Sequence, residues 1–348
     1  MCACRMSIQD ETIQTCPLSI MRYHYRMKRC YTIFASCLLL LGCGDRISLP
    51  ATGPLPLNDS GKLQVVATFS IVSEAVAAVG GERIELITLV GPDRDVHGFE
   101  PSPDDAKAIA DASLTFASGL GLETWLSGML TSTKSPARVR ELSKGIAARE
   151  AGGSHDHHDH HGHDHHDHGD YDPHVWHDIS HMIHQTEKIR DALAEAVPGH
   201  AAEFATRAEA RIGELRELED WVKERIATIP EESRKIVTGH DCFGYFADRY
   251  GITVAGVAID SFSTGASEPS ARDMARLVDH IKSAGVSAIF GENIHDNRII
   301  GRVAEAAGVV LAPSLYTGAL GPPGSAADTY AKLMRHNVDA MVTAMGGK

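Results

Sequence analysis

Near the middle of this chain lies a stretch through which no hydrophobic core can be built. In residues 155–168 nine of fourteen positions are His and four are Asp. Alternating imidazole and carboxylate groups are too polar to be buried together, so the run must be a solvated loop. Its composition points to metal capture. A purification tag would sit at a terminus, whereas this run is internal; a plain hydrophilic linker is the bland alternative. The chain then changes character at Asp170-Tyr171-Asp172-Pro173-His174-Val175-Trp176-His177. Pro173 fixes its own φ and pushes Asp172 into an extended conformation, which sets His174 at the mouth of the helical pattern that follows. His174 is thereby placed to help bind what the loop collects.

The 348 residues allow about two domains, and 43% hydrophobic content supplies a sizeable core. The formal net charge is −13, and it becomes more negative once the basic leader is set aside. Such a surface argues against nucleic acid and against a basic membrane-binding face, and suits a protein that attracts cations. Six of the seven cysteines precede residue 44, and only Cys242 lies beyond, where it reads as a small buried apolar residue. The first 43 residues read as a leader. Met27-Lys28-Arg29 is its basic region, and residues 31–41 form an apolar stretch too short for an ordinary transmembrane helix. It ends in Leu40-Leu41-Gly42-Cys43, which resembles a bacterial lipobox, with Cys43 the lipidated residue and an ordinary cleaved signal as the alternative. Translation is expected to begin at Met21 or Met27. Residues 44–62, rich in Pro, Gly, Ser and Asn, read as a flexible tether.

From residue 63 strands and helices alternate. Strands are expected at 63–69, 84–90 and 114–117, with helices at 70–79, 104–112 and 122–130. This order predicts a parallel sheet. His97 follows the second strand, on the loop before a helix capped by Ser102 with Pro103 at its first position. Loops at the carboxyl ends of strands are where such sheets present ligands. After the His-rich loop come helices at 179–197 and 201–229. In the latter, Ala208, Ile212, Leu215, Leu218 and Val222 fall at spacings of three and four, so one stripe faces a core. At ~1.5 Å per residue it spans ~44 Å, enough to run from one lobe to another. The second half repeats the α/β logic, with strands at 235–238, 252–259, 286–290 and 309–311, and helices at 270–284, 297–307 and 328–345. The boundaries are then 1–43 leader, 44–62 tether, 63–200 amino-terminal lobe with the loop 152–170, 201–229 linking helix, and 230–348 carboxyl-terminal lobe.

His97, His174 and His240 each stand at the end of an element and come from both halves of the chain. Neutral imidazole is a good zinc ligand, and three protein ligands leave one position open. His177, His181 and His184 follow His174 at helical spacing and could extend a site, but read first as exposed helix residues. His200, His280 and His336 read as surface or packing residues, His295 near Glu292 is a weaker candidate, and Trp125 is expected to pack.

The chain resembles the zinc- and manganese-binding lipoproteins that serve bacterial ABC importers. The resemblance covers about residues 60–346 and rests on His97 with Phe99-Glu100-Pro101, Gly119-Leu120-Gly121-Leu122-Glu123, Asp172-Pro173-His174-Val175-Trp176, Gly239-His240-Asp241 with Gly244-Tyr245-Phe246, Glu268-Pro269-Ser270, and Asn337-Val338. It implies an α/β fold of two lobes, each with a parallel sheet flanked by helices, joined by one long rigid helix, with the metal in the cleft. It implies His97 and His174 as ligands from the first lobe and His240 from the second, with His at this third position going with zinc. It further implies a monomer held to the envelope through Cys43, delivering Zn2+ to a permease and its ATPase. The family's usual fourth ligand is an Asp in a Tyr-x-Asp-Ala-Leu-Gly stretch. Here that stretch is Tyr316-Thr317-Gly318-Ala319-Leu320-Gly321, and Gly318 has no side chain to ligate. Three-His coordination is expected, the fourth position being open to water or filled by Asp260, Glu292 or a His of the loop.

Three His with an open position is also the plan of catalytic zinc sites. The chain has no His-Glu-x-x-His segment and no evident general base beside the three histidines, so no enzyme is expected. A periplasmic zinc buffer and a manganese importer's binding protein remain the alternative transport readings.

Overall fold

The computed structural model describes residues 54–135, 137–150, 171–259 and 270–347. The leader with Cys43, the first ten residues of the tether, the loop 152–170, and Asp260 and Glu268 lie outside the described residues.

The first lobe is built from β1 (Leu63–Phe69), α1 (Ser70–Gly80), β2 (Ile84–Val90), α2 (Pro103–Asp111), β3 (Leu114–Ala117), α3 (Leu126–Thr133) and β4 (Arg138–Glu141). Its four strands are all parallel, in the order β2-β1-β3-β4. Central β1 is buried along nearly its whole length, whereas edge strand β2 alternates between core and solvent, as expected for a sheet covered on both faces only at its centre. Helix α2 starts at a capping box in which Ser102 and Asp105 satisfy each other's backbone N–H groups.

Two elements differ from the sequence reading. Helix α3 starts four residues later than expected, after a turn in which Gly119, Leu120 and Gly121 all take positive φ. Trp125 therefore sits just ahead of the helix, edge-on to Phe99 at 5.0 Å between ring centroids. Strand β4 has the sequence Arg-Val-Arg-Glu, with no apolar alternation to announce it. Its two arginines are held by Glu195 at 3.2 and 2.9 Å.

Helix α4 (Ile179–Ala196), capped by Asp178, leads through a 3-10 turn at Pro198–His200 into α5 (Ala201–Ala227). These 27 residues of α5 bury Phe204, Ala208, Ile212, Leu215, Leu218, Val222 and Ile226 along one stripe. Helix α5 packs on α1 and α4 of the first lobe and on the last helix, α9 (Tyr330–Ala344). Ion pairs along its length fasten it, among them Arg83–Glu203 and Arg249–Glu219. Buried Arg211 grips Glu74 of α1 with both terminal guanidinium nitrogens at 3.1 and 2.6 Å, and Arg225 meets Asp339 of α9 at 3.0 Å.

The second lobe carries β5 (Lys235–His240), α6 (Gly244–Tyr250), β6 (Thr253–Ile259), α7 (Ala271–Ala284), β7 (Ala288–Glu292), α8 (Arg298–Ala307) and β8 (Val310–Leu315) before α9. Its strands form two parallel pairs, β5–β6 and β7–β8, with β5 and β7 packed side by side. One hydrophobic cluster runs from Leu63 in β1 through α5 to Met345, joining both lobes. A smaller one, around Val237, Ile281, Ile289 and Val303, fills the far side of the second lobe. No helix among the described residues is long and apolar enough to cross a membrane.

Candidate metal site

Three turns deliver the three histidines to one point. His97 lies on the loop after β2, where the Asp95 carboxylate accepts the N–H groups of His97 at 2.9 Å and Gly98 at 3.3 Å. This fixes the tight turn through the buried Val96. His174 stands before a 3-10 turn at Val175–His177, and His240 is the last residue of β5. His174 and His240 are wholly buried and His97 is half-buried. The Nε2 atom of His174 lies 3.1 Å from that of His97 and 3.3 Å from that of His240. Two imidazoles bound to one tetrahedral ion at about 2.0–2.1 Å stand ~3.3 Å apart. The spacing of the three rings is therefore that of ligands around a common cation.

Each buried ring is aimed by a carboxylate. Asp172 Oδ1 accepts both the backbone N–H of His174 and, at 2.9 Å, its ring Nδ1. Arg149 holds the other Asp172 oxygen at 3.0 Å, and the Tyr245 hydroxyl donates to the Asp172 carbonyl. Glu292, at the end of β7, does the same for His240: Oε1 accepts the backbone N–H at 2.8 Å and Oε2 lies 2.6 Å from Nδ1. That approach requires Gly239, since a Cβ there would come within 2.6 Å of Glu292 Oε1. In both cases the carboxylate takes Nδ1 and leaves Nε2 as the lone-pair donor, the arrangement that orients metal-binding imidazoles.

Charge follows from this geometry. Burial, reinforced by the neighbouring histidines, holds His97 and His174 well below the ordinary histidine pKa, so both are neutral. Burial also opposes a charge on His240, but Glu292 outweighs it and raises the pKa. Glu292 in turn is buried, yet His240, His295 and Thr317 bring it down to about 2.

Around the site the Thr317 carbonyl adds a further link between the lobes. Trp176 Nε1 donates to the Thr317 carbonyl at 2.8 Å, and His177 Nε2 lies 3.1 Å from the same oxygen. The Thr317 hydroxyl donates to Glu292 at 2.8 Å. His177 is wholly buried with its pKa brought by burial to about 3, which corrects the expectation of an exposed helix residue. It sits in the 3-10 turn ahead of α4, so helical spacing assigns it the wrong face. His181 is partly buried beside Asp178, His184 Nε2 meets the Lys144 carbonyl at 3.0 Å, and His336 packs on Tyr316. Glu292, a candidate for the fourth ligand position, instead has both of its oxygens engaged by His240 and Thr317. Glu123, from the glycine-rich stretch, fills the crevice between β1 and β3. There it accepts from Thr68 and from the N–H groups of Ser118 and Gly119, so the usual ligand crevice of an open α/β sheet is plugged from within.

The residues that flank the His-rich segment, Arg149-Glu150 and Tyr171-Asp172, close on each other. The Asp172 N–H donates to the Arg149 carbonyl at 2.9 Å, and Glu150 and Tyr171 form an antiparallel bridge.

The family described as zinc-uptake complex component A, periplasmic, matches residues 65–344. The manganese-binding lipoprotein MntA of Halalkalibacterium halodurans is 32% identical over 316 residues, which is 90% of this chain and 97% of that one. The zinc-binding protein TroA of Treponema pallidum is 28% identical over 315 residues, covering 89% and 97%. The solved structure of the periplasmic zinc-binding protein TroA superposes with a TM-score of 0.72 at 28% identity, over 82% of this chain and 99% of that one. A manganese-bound periplasmic metal-binding protein of candidatus Liberibacter asiaticus gives a TM-score of 0.70, at 23% identity over 82% and 100%, a likeness of fold alone.

Proposed function

Because the chain belongs to the ZnuA family, the metal-binding substrate-binding proteins of ABC importers, we propose that it captures Zn2+ with His97, His174 and His240 and passes it to a permease powered by an ATPase. The observation that carries the reading is the convergence of three Nε2 atoms, two of them backed by buried carboxylates, within ligand spacing. An all-imidazole donor set of this kind favours zinc over the hard manganese ion. Anchoring through Cys43, as a monomer on the outer side of the cytoplasmic membrane or in the periplasm, belongs to the same reading. Mass analysis of the purified protein's amino terminus checks it, a diacylglyceryl Cys43 being the expected end group.

Manganese capture is the second reading, favoured by the name of the 32%-identical relative. Calorimetric titration of the full chain with each ion, with and without residues 155–168, separates the two. The expected result is one tight zinc site that survives loss of the loop, with manganese at least two orders of magnitude weaker. Equal affinity for manganese would remove the zinc assignment, and loss of all tight binding with the loop would move the receptor away from the three histidines.

A further inference from the structure

The position that a side chain at 318 would fill is occupied from the other side of the site. An ideal Cβ on Gly318 would lie 2.8 Å from Ile294 Cδ1. Ile294 and His295 form the tip of the turn between β7 and α8. Asn297 pins the base of that turn: its Oδ1 accepts the Glu292 N–H at 2.8 Å, and its Nδ2 donates to the Glu292 carbonyl at 3.0 Å and to Ser314. The tip thus carries Ile294 into the space beside Gly318 and carries the next residue, His295, up to the cluster.

His295 makes no hydrogen bond there through its Nε2, which is buried without a partner among the described residues, and Glu292 Oε2 is 3.8 Å away. A buried polar atom left unpaired is costly enough to call for an explanation. Its ring stands edge-on to that of His240 at 5.2 Å. The same spacing, 5.1 Å, separates His174 from each of the other two site rings. His240, Glu292 and His295 form a second group with ligand spacing, sharing His240 with the first.

We propose that His295 is the fourth protein ligand of the captured ion, moving from its place beside Glu292 onto the cation once His97, His174 and His240 have engaged it. The resulting four-imidazole shell is uncharged, so it selects borderline divalent ions such as Zn2+ over ions that seek oxygen. This inference rests on the three-histidine reading above.

The test is X-ray absorption on the full chain loaded with one equivalent of Zn2+, set beside chelator-competition affinities, for the unaltered protein, His295→Gln and His174→Ala. The histidines of residues 155–168 are common to all three proteins, so differences report the site. The expected result for His295→Gln is one imidazole fewer around zinc and an affinity loss of at least about tenfold, the least that removing even an outer partner of a ligand costs. An unchanged imidazole count overturns the proposal, even if affinity falls, because His295 would then act only through Glu292. His174→Ala should abolish tight binding. If it does not, the three-histidine reading itself fails, whereas a His174→Ala loss with a silent His295→Gln removes only the fourth ligand.

Discussion

At the scale of single residues, the charge on the site is decided at His240. Its pKa is raised by Glu292 against the opposing effect of burial, while His97 and His174 are neutral. A raised pKa means that the proton is held below that value and must leave before the ion can bind. Zinc affinity should therefore fall as pH drops through the His240 pKa, by about one decade per pH unit, as one proton competes rather than three. Affinities measured at half-unit steps between pH 5 and 8 check the slope; a slope near three would contradict it. Glu292→Gln keeps the shape but removes the charge, leaving burial to dominate at His240. We expect a 10- to 100-fold loss of affinity near neutral pH, roughly as for other outer partners of metal ligands, with the proton competition displaced to lower pH. The three histidines are legible in the sequence because each stands at the end of an element, and the two that align with strands are on the ligand-bearing side. Glu292 is visible there only as a carboxylate near a strand end. Its task depends on β5 and β7 lying side by side and on the missing side chain of Gly239, neither of which a one-dimensional pattern expresses.

At the scale of elements, α5 is the easiest to read, since its apolar stripe repeats without interruption. Strand β4 is illegible because its four residues sit at a sheet edge and meet the sheet through backbone hydrogen bonds rather than through buried side chains. The start of α3 escapes the apolar pattern because Leu122 and Trp125, though apolar, belong to the turn that precedes it, and the positive φ of Leu120 in that turn has no sign in the sequence. Within α5, Gly213 has a helical backbone with open space where a Cβ would stand. Gly213→Ala should stabilise the protein by about 0.5–1 kcal/mol by narrowing the unfolded ensemble. Chemical denaturation measures that gain, and zinc affinity should be unchanged if α5 serves as a rigid strut. Shortening the stripe acts the other way: Leu215→Ala, at a buried position, should cost about 2–5 kcal/mol.

At the scale of the whole molecule, the two lobes are not independent bodies. One hydrophobic cluster spans both, α5 packs on both, and the Thr317 carbonyl takes hydrogen bonds from residues of the first lobe beside a hydroxyl that donates to Glu292 of the second. Thermal unfolding of the metal-free protein should therefore be a single transition. Zinc at 100 times its dissociation constant should add about 2.7 kcal/mol and move that transition upward as one step. Two separated transitions, with only one responding to zinc, would show that the lobes melt apart. The neck formed by Arg149, Glu150, Tyr171 and Asp172 has a consequence of another kind. Glu150 and Tyr171 are held together there, and doubling the length of chain that a closed loop spans costs only ~0.6 kcal/mol. Changing the number of residues between Glu150 and Tyr171 should therefore cost the fold little and leave in place the carboxylate that aims His174.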